Sequence, residues 1–152
     1  MSSPQLPPPI RLRPATLADA PFVYAIRNDP QTRAASLNAD ELSYEDHYKW
    51  FKASLTNPKR RLFIAEAAEE SIGSGRMDLG NEGITLSWTL APEQRGRGYG
   101  HSLVKALAAL ERGRLVALIR SENLASRRVA EGAGFRLIGE KKGVCLHIRD
   151  AL

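Results

Sequence analysis

A chain of 152 residues with 43% hydrophobic and 26% charged side chains has the size and make-up of one soluble globular domain, and no apolar run approaches the roughly 20 residues that span a bilayer. Its single cysteine, Cys145, excludes an internal disulfide and a cysteine-built metal site and fits a reducing cytoplasm; the opening MSSPQLPPPI lacks the basic start and apolar stretch of a secretion signal. The net charge is +5, and 16 of the 22 basic residues are arginines, scattered rather than clustered beside only 7% aromatics, which favours a phosphate-bearing small molecule over nucleic acid or a membrane surface.

Residues 1–9 read as a disordered lead-in stiffened by Pro7, Pro8 and Pro9, and 10–152 as the folded domain. IRLRP (10–14) alternates apolar and basic residues and predicts a first strand. TLAD offers a capping box, Thr16 to Asp19, opening a helix with Phe22, Val23 and Ile26 on its apolar face; Pro30 breaks that helix. A second box, Ser43 to Asp46, opens a helix through Tyr48, Trp50, Phe51 and Leu55, which NPKR ends. Strands follow at 61–67, 71–79 and 84–90, with short turns between them, as an antiparallel meander. Leu103, Val104, Leu107, Ala108 and Leu110 then fall at helical spacing. RLVALIR (114–120) is a nearly continuous apolar strand of the kind buried on both faces. ENLASRRVAEGAGF is a short helix ending at Gly134, and the remainder closes as a hairpin around Lys142-Gly143. The order β-α-α-β-β-β-α-β-α-β-β describes an α/β domain with a mixed sheet.

The stretch APEQRGRGYGHSLV (91–104) bears most directly on function. Gly96, Gly98 and Gly100 weaken a strand or a helix, and Arg95 and Arg97 stand among them. Between a strand and a helix, such a loop lets an anion reach the helix's first unpaired amides, where the dipole is positive. The plainer reading is a tight turn with solvated arginines. No Lys-Ser/Thr follows, as a Walker loop requires, and neither an early βαβ unit nor a correctly spaced acidic residue supports a dinucleotide-binding fold.

The loop resembles the pyrophosphate loop of the GNAT acetyltransferases, Gln/Arg-x-x-Gly-x-Gly/Ala, here Arg95, Gly96, Arg97, Gly98, Tyr99, Gly100. The preceding SWTLAP resembles the family's acetyl-CoA strand. NLASRRVAEGAGF is similar to a later family motif, with Asn123, Ser126, Val129, Gly134 and Phe135 in its places. The resemblance runs from residue 10 to about 148 in element order. It implies a single-domain fold with a mixed, mostly antiparallel sheet splayed at one parallel strand pair and flanked by about four helices. It implies acetyl-CoA as cofactor. Trp88, Thr89 and Leu90 would hold its pantetheine arm as an added strand. The amides from Arg95 to Gly100, with the Arg95 and Arg97 charges, would hold the pyrophosphate, and Asn123 and Ser126 would contact the cofactor from the other side. Asn123 and Ser126 also suit a plain helix cap.

The implied reaction is direct acetyl transfer to an amine, with a backbone amide near Leu90 as the oxyanion donor. Many members carry a tyrosine acid just after the apolar residue of the late motif, where this chain has Ala130. Members with a glutamate base on the strand before the loop would place it near Ile84, which cannot serve. His47, Glu82, Asp78 and Glu122 remain as base candidates, His47 foremost because its ordinary pKa suits proton transfer near neutrality.

IRNDPQTRAASLN and SYEDHYKWF, with GSGRMDL and IRSENLAS, resemble the branch that acetylates nucleotide-linked amino sugars of the pseudaminic type. On that resemblance the acceptor is a small-molecule amine met by Arg27, Asn28, Arg33, His47, Trp50 and Arg76. Arg27 and Arg33 would meet a diphosphate, and Trp50 or Tyr48 would stack on base or sugar. Trp50 and Phe51 also stand at core spacing, and Arg27 is placed to pair with Asp29. The alternatives are a ribosomal-protein or peptide N-terminal acetyltransferase and a silent coenzyme A-binding module. Either monomer or homodimer suits the chain, with no nucleic acid or membrane partner.

Overall fold

The computed structural model describes residues 8–37 and 40–152. The expectation of a disordered lead-in over 1–9 therefore falls mostly outside the described residues. Seven strands form one sheet: β1 Arg11–Pro14, β2 Arg60–Ala67, β3 Glu70–Gly80, β4 Gly83–Leu90, β5 Leu115–Arg120, β6 Arg136–Lys141 and β7 Val144–Arg149. Their order is β1-β2-β3-β4-β5-β7-β6. Five helices flank the sheet: α1 Ala20–Arg27, α2 Pro30–Ala35, α3 Tyr44–Leu55, α4 Tyr99–Ala108 and α5 Leu124–Gly132. The expected antiparallel meander is β2-β3-β4, and the closing hairpin is β6-β7.

α2 is the element that sequence reading missed, so the α-helices among the described residues number five rather than about four. Pro30 breaks α1, but it also stands at the first position of a new helix, where its missing N–H costs nothing. Asp29 caps that helix, its carboxylate accepting from the Thr32 amide at 3.1 Å. The Thr16–Asp19 box is present, and of the Ser43–Asp46 box the Ser43 half is. The Asp19 carboxylate accepts from the Thr16 amide at 2.8 Å, and Ser43 Oγ accepts from the Asp46 amide at 3.1 Å.

The period-2 alternation of β2 divides the interior in two. Phe63 and Ala65 join Met77, Leu86, Leu103, Leu107 and Ala117 in the larger core. Ile64 turns the other way and packs with Ala20, Val23 and Phe51 of α1 and α3. Helices thus cover both faces of the sheet, α1 and α3 on one and α4 on the other.

The feature that positions the site is the β4–β5 pair, the one parallel pairing in the sheet. Its register covers only Ile84↔Leu115 and Thr85↔Val116. Beyond Thr85 and Val116 the strands diverge, although β4 runs to Leu90 and β5 to Arg120. On its other edge β4 stays paired with β3 as far as Gly73↔Leu90. The backbone of β4 is therefore satisfied on one side and open on the other.

Candidate active site

A cavity of about 690 Å³ fills the splay and continues to the α1–α3 side. Trp88, Thr89 and Leu90 wall it on β4, Leu118 and Ile119 on β5, and Asn123 and Ser126 on α5. Ladder alternation decides which backbone groups face it. The Ile84 amide bonds the Arg114 carbonyl (2.9 Å) on the β5 side, whereas the Ala91 amide bonds the Ile72 carbonyl (2.8 Å) on the β3 side. Even-numbered residues of β4 thus aim their N–H and C=O at the splay. Trp88 and Leu90 offer backbone groups to an added strand; those of Thr89 belong to the β3 ladder, and only its side chain is available.

At one end of the cavity, Gly98 caps α4 with φ +84°, ψ 0°, a left-handed conformation that glycine adopts without strain. It turns the chain so that the first α4 amides are presented without a capping side chain. Gly100 follows in the first turn and lines the cavity. A Cβ there would meet Val129 Cγ2 at 3.3 Å and Leu90 Cδ1 at 3.7 Å, so a larger residue would narrow the passage between loop and strand. Open backbone on β4, a glycine-turned helix start and a continuous cavity between them fit a long thioester with a diphosphate in its middle.

The two arginines of the loop part company. Arg97 is exposed and makes no hydrogen bond or ion pair among the described residues. Arg95 reaches across to α2, donating to Gln31 Oε1 and Thr32 Oγ1, each at 2.6 Å, and lying 3.5 Å from Asp29 Oδ2. Its backbone faces the loop, but its guanidinium grips the helix that roofs the cavity. From the β5 side Arg120 donates to the Ser36 carbonyl just beyond α2. The roof is thus tied to both banks of the splay.

At the far end, Trp50 and Arg27 stand in the wall with Arg76. The Arg27 guanidinium lies over the Trp50 ring at 4.1 Å from its centroid, with Arg60 and Arg76 at 5.5 and 5.7 Å. Asp78 takes up Arg60 (2.6 Å) and Arg76 (2.9 Å). Arg27 has no carboxylate partner among the described residues, Asp29 included. Burial, and after it the charges of Arg76 and Arg60, push its pKa down to about 10. Arg60 and Arg76 share one carboxylate, and Arg27, half-buried beside them in the cavity wall, shares none.

Other expected site residues stand elsewhere. Asn28 is a brace, donating to the Tyr24 hydroxyl at 3.3 Å and accepting from the Leu42 amide at 3.1 Å. Arg33 sits on α2 outside the cavity wall. Glu122 borders a separate depression with Arg120 and Lys142. Glu82 lies in the β3–β4 turn, and Asp78 is held by its two arginines. His47 is 1% exposed, and both ring nitrogens are engaged, Nε2 at 3.1 Å from the Ala20 carbonyl and Nδ1 at 3.2 Å from Arg27. Burial first, and the Arg27 charge as well, hold its pKa below the ordinary value; the Ala20 hydrogen bond opposes them. No lone pair of His47 is open to the cavity. Asp40, which sequence reading did not select, is the carboxylate in the cavity wall. Ala130 is fully buried in the larger core, so a tyrosine there would have no room.

Asn123 caps α5, its side chain accepting from the Ser126 amide at 3.2 Å, and both residues also line the cavity. Capping and contact with the cavity coexist.

Residues 10–136 match the model of the acetyltransferase (GNAT) domain. No curated protein matches the sequence. Among solved structures, the chain is similar to the aminoglycoside acetyltransferase AAC(6')-Ib in complex with paromomycin and acetyl-CoA, at 20% identity and TM-score 0.80, with 93% of each chain covered. It is similar to spermidine N-acetyltransferase from Vibrio cholerae in complex with coenzyme A and spermine, at 15% identity and TM-score 0.81, covering 91% of this chain and 92% of that one. A third is RimL, the ribosomal L7/L12 α-N-protein acetyltransferase in complex with coenzyme A, at 19% identity and TM-score 0.80, covering 93% and 94%.

Proposed function

This chain belongs to the GNAT acetyltransferase family, and from that premise we propose that it acetylates the primary amine of a nucleotide-linked amino sugar. Acetyl-CoA is the donor and supplies an activated acetyl thioester. The observation that carries the choice of acceptor is Arg27, a half-buried guanidinium in the cavity wall with no carboxylate partner among the described residues. An uncompensated buried charge is costly, and a bound anion that comes with the substrate offsets it. A diphosphate meets Arg27 and Arg76 by charge-assisted hydrogen bonds, and the Trp50 ring offers a stacking face to base or sugar. The paromomycin and spermine named with two of the structural neighbours are cations, which this wall repels.

The remaining roles follow from the open β4 edge. Trp88 and Leu90 align the pantetheine arm through their backbone groups, and the Leu90 amide donates to the oxygen that gains charge during transfer. The α4 amides at Gly98–Gly100 and the Arg97 side chain hold the pyrophosphate, and Asn123 and Ser126 close the other side. Solvent in the cavity receives the proton that the amine loses and supplies one to the departing coenzyme A thiolate.

The test is thiol release from acetyl-CoA across UDP-linked amino sugars, N-terminal peptides, spermidine and an aminoglycoside. Turnover with an amino sugar at least tenfold more efficient than with any polycation supports the reading. Preferred turnover of spermidine, the aminoglycoside or a peptide overturns it.

A further inference from the structure

His47 is buried between α1 and α3, away from the reacting centre, and its surroundings assign each ring nitrogen a role. Nε2 lies 3.1 Å from the Ala20 carbonyl. A carbonyl only accepts, so Nε2 carries the proton. Nδ1 is then a lone pair, and it lies 3.2 Å from Arg27 Nη1, which only donates. The imidazole stacks on Phe51 at 5.7 Å and packs against Tyr24 at 5.4 Å and Trp50 at 5.9 Å. The ring has no freedom to turn, and the Arg27 guanidinium is fixed along one edge by Nδ1 and across its face by Trp50 at 4.1 Å.

We propose that His47 is a positioning residue for acceptor recognition: its neutral, Nε2-protonated ring holds Arg27 flat on Trp50, leaving the other guanidinium N–H groups to receive the acceptor's anion. The inference rests on the anionic-acceptor reading for its consequence, but on the His47–Arg27 geometry for its substance. Protonation of His47 replaces the Nδ1 lone pair with a second donor aimed at a cation, which breaks the hold on Arg27. The titratable and charged groups packed around the ring do not relieve that clash. They are Tyr24 and Arg27 from α1 and Tyr44 from α3. Arg60 and Arg76 of β2 and β3 lie beyond Trp50, and the carboxylate among those arginines, Asp78, is already taken. Burial keeps the imidazole neutral at ordinary pH.

Two arms test this on the full chain. In the first, ¹⁵N NMR reads the His47 tautomer and the Arg27 Nη resonances without any acceptor. The expected result is an Nε2–H tautomer at pH 7 and slowed rotation of the Arg27 guanidinium, lost in His47→Gln, which keeps a donor for Ala20 but no acceptor at Nδ1. An Nδ1–H tautomer, an imidazolium at pH 7 or an unchanged Arg27 signal in His47→Gln overturns the proposal whatever the substrate. In the second arm, acceptor and acetyl-CoA KM are measured with the best amine from the acceptor panel. His47→Gln is expected to raise acceptor KM about tenfold, with acetyl-CoA KM moving less than twofold, and His47→Asn, which restores an oxygen toward Arg27, recovers most of that loss. Acceptor KM of the unaltered chain is also expected to climb in acid, at a pH below the ordinary imidazole value because burial holds the His47 pKa down. Equal changes in both KM values reduce His47 to a structural residue and refute the proposal. If the panel's best acceptor is a cation, the anion reading fails while the first arm still decides the positioning.

Discussion

Gly98 separates the strain of a left-handed backbone from the charge of a phosphate site. Its φ of +84° costs an ordinary residue about 1 kcal/mol, and asparagine less. A Cβ at Gly98 also meets Pro8 Cδ at 3.1 Å, a contact that a small shift of the chain start relieves. Both costs fall on the fold, with or without cofactor. Gly98→Ala should therefore lower Tm by about 2–4 °C while moving coenzyme A affinity little. Gly98→Asn should be milder still in Tm. Gly98→Asp has the same shape as Asn but brings a carboxylate to the expected pyrophosphate amides. At about 4 Å and an effective dielectric near 20, two like charges repel by about 4 kcal/mol. With screening at this exposed loop halving that, the loss is about 2 kcal/mol, roughly thirtyfold in Kd. Calorimetric titration of coenzyme A at 50 and 200 mM salt reads the difference between Asp and Asn, which should shrink at higher salt. Equal affinities for Asp and Asn at low salt would refute the placement of the pyrophosphate on this loop.

Three further outcomes are expected. Ala130→Tyr, which on family pattern alone restores an acid, forces a ring into a fully buried alanine site and should destabilise the chain by about 1–3 kcal/mol or prevent folding; urea denaturation checks it, and a stable, faster variant contradicts the packing. Arg97→Ala should weaken coenzyme A about three- to tenfold at low salt, measured by titration, and leave Tm unchanged because the side chain has no partner among the described residues to lose. His47 and His147 are both fully buried with pKa values held below the ordinary 6.5, so the unfolded chain binds their protons first. Their contribution to stability is complete above about pH 6.5 and is lost as pH falls from there toward the folded pKa values, at up to about 1.4 kcal/mol per pH unit for each. Urea midpoints at pH 7.5 and 5.5 read that slope. His147→Leu should flatten it, since neither His147 ring nitrogen has a hydrogen-bond partner among the described residues.

Some of this was legible in the sequence because it depends on neighbours along the chain. The alternation of Phe63 and Ala65 against Ile64 is a period-2 pattern, and it marks β2 and both of its cores. The glycine loop announces itself because a left-handed cap and a close approach to Val129 and Leu90 both call for the smallest residue. α2 was hidden because Pro30 carries two signals at once, the end of one helix and the first position of the next. Trp50 shows why spacing alone could not choose between core and site: it packs on the α1–α3 cluster and walls the cavity.

The parts that escaped are those settled by partners far apart in sequence, and they change the chemistry assigned to individual residues. Arg95 matches the loop motif, yet its guanidinium finds Gln31 and Thr32, 64 and 63 positions earlier. His47 has the ordinary pKa of a base, yet Ala20 and Arg27, 27 and 20 positions away, occupy both its nitrogens. A motif names the residue types that chemistry needs. Whether a given atom is free to act depends on what the fold has already given it to hold. Here the fold already holds the Arg95 guanidinium on Gln31 and Thr32 and both ring nitrogens of His47 on Ala20 and Arg27. It leaves the backbone of Trp88 and Leu90, the α4 amides and the uncompensated Arg27 as the groups with capacity still open to a ligand.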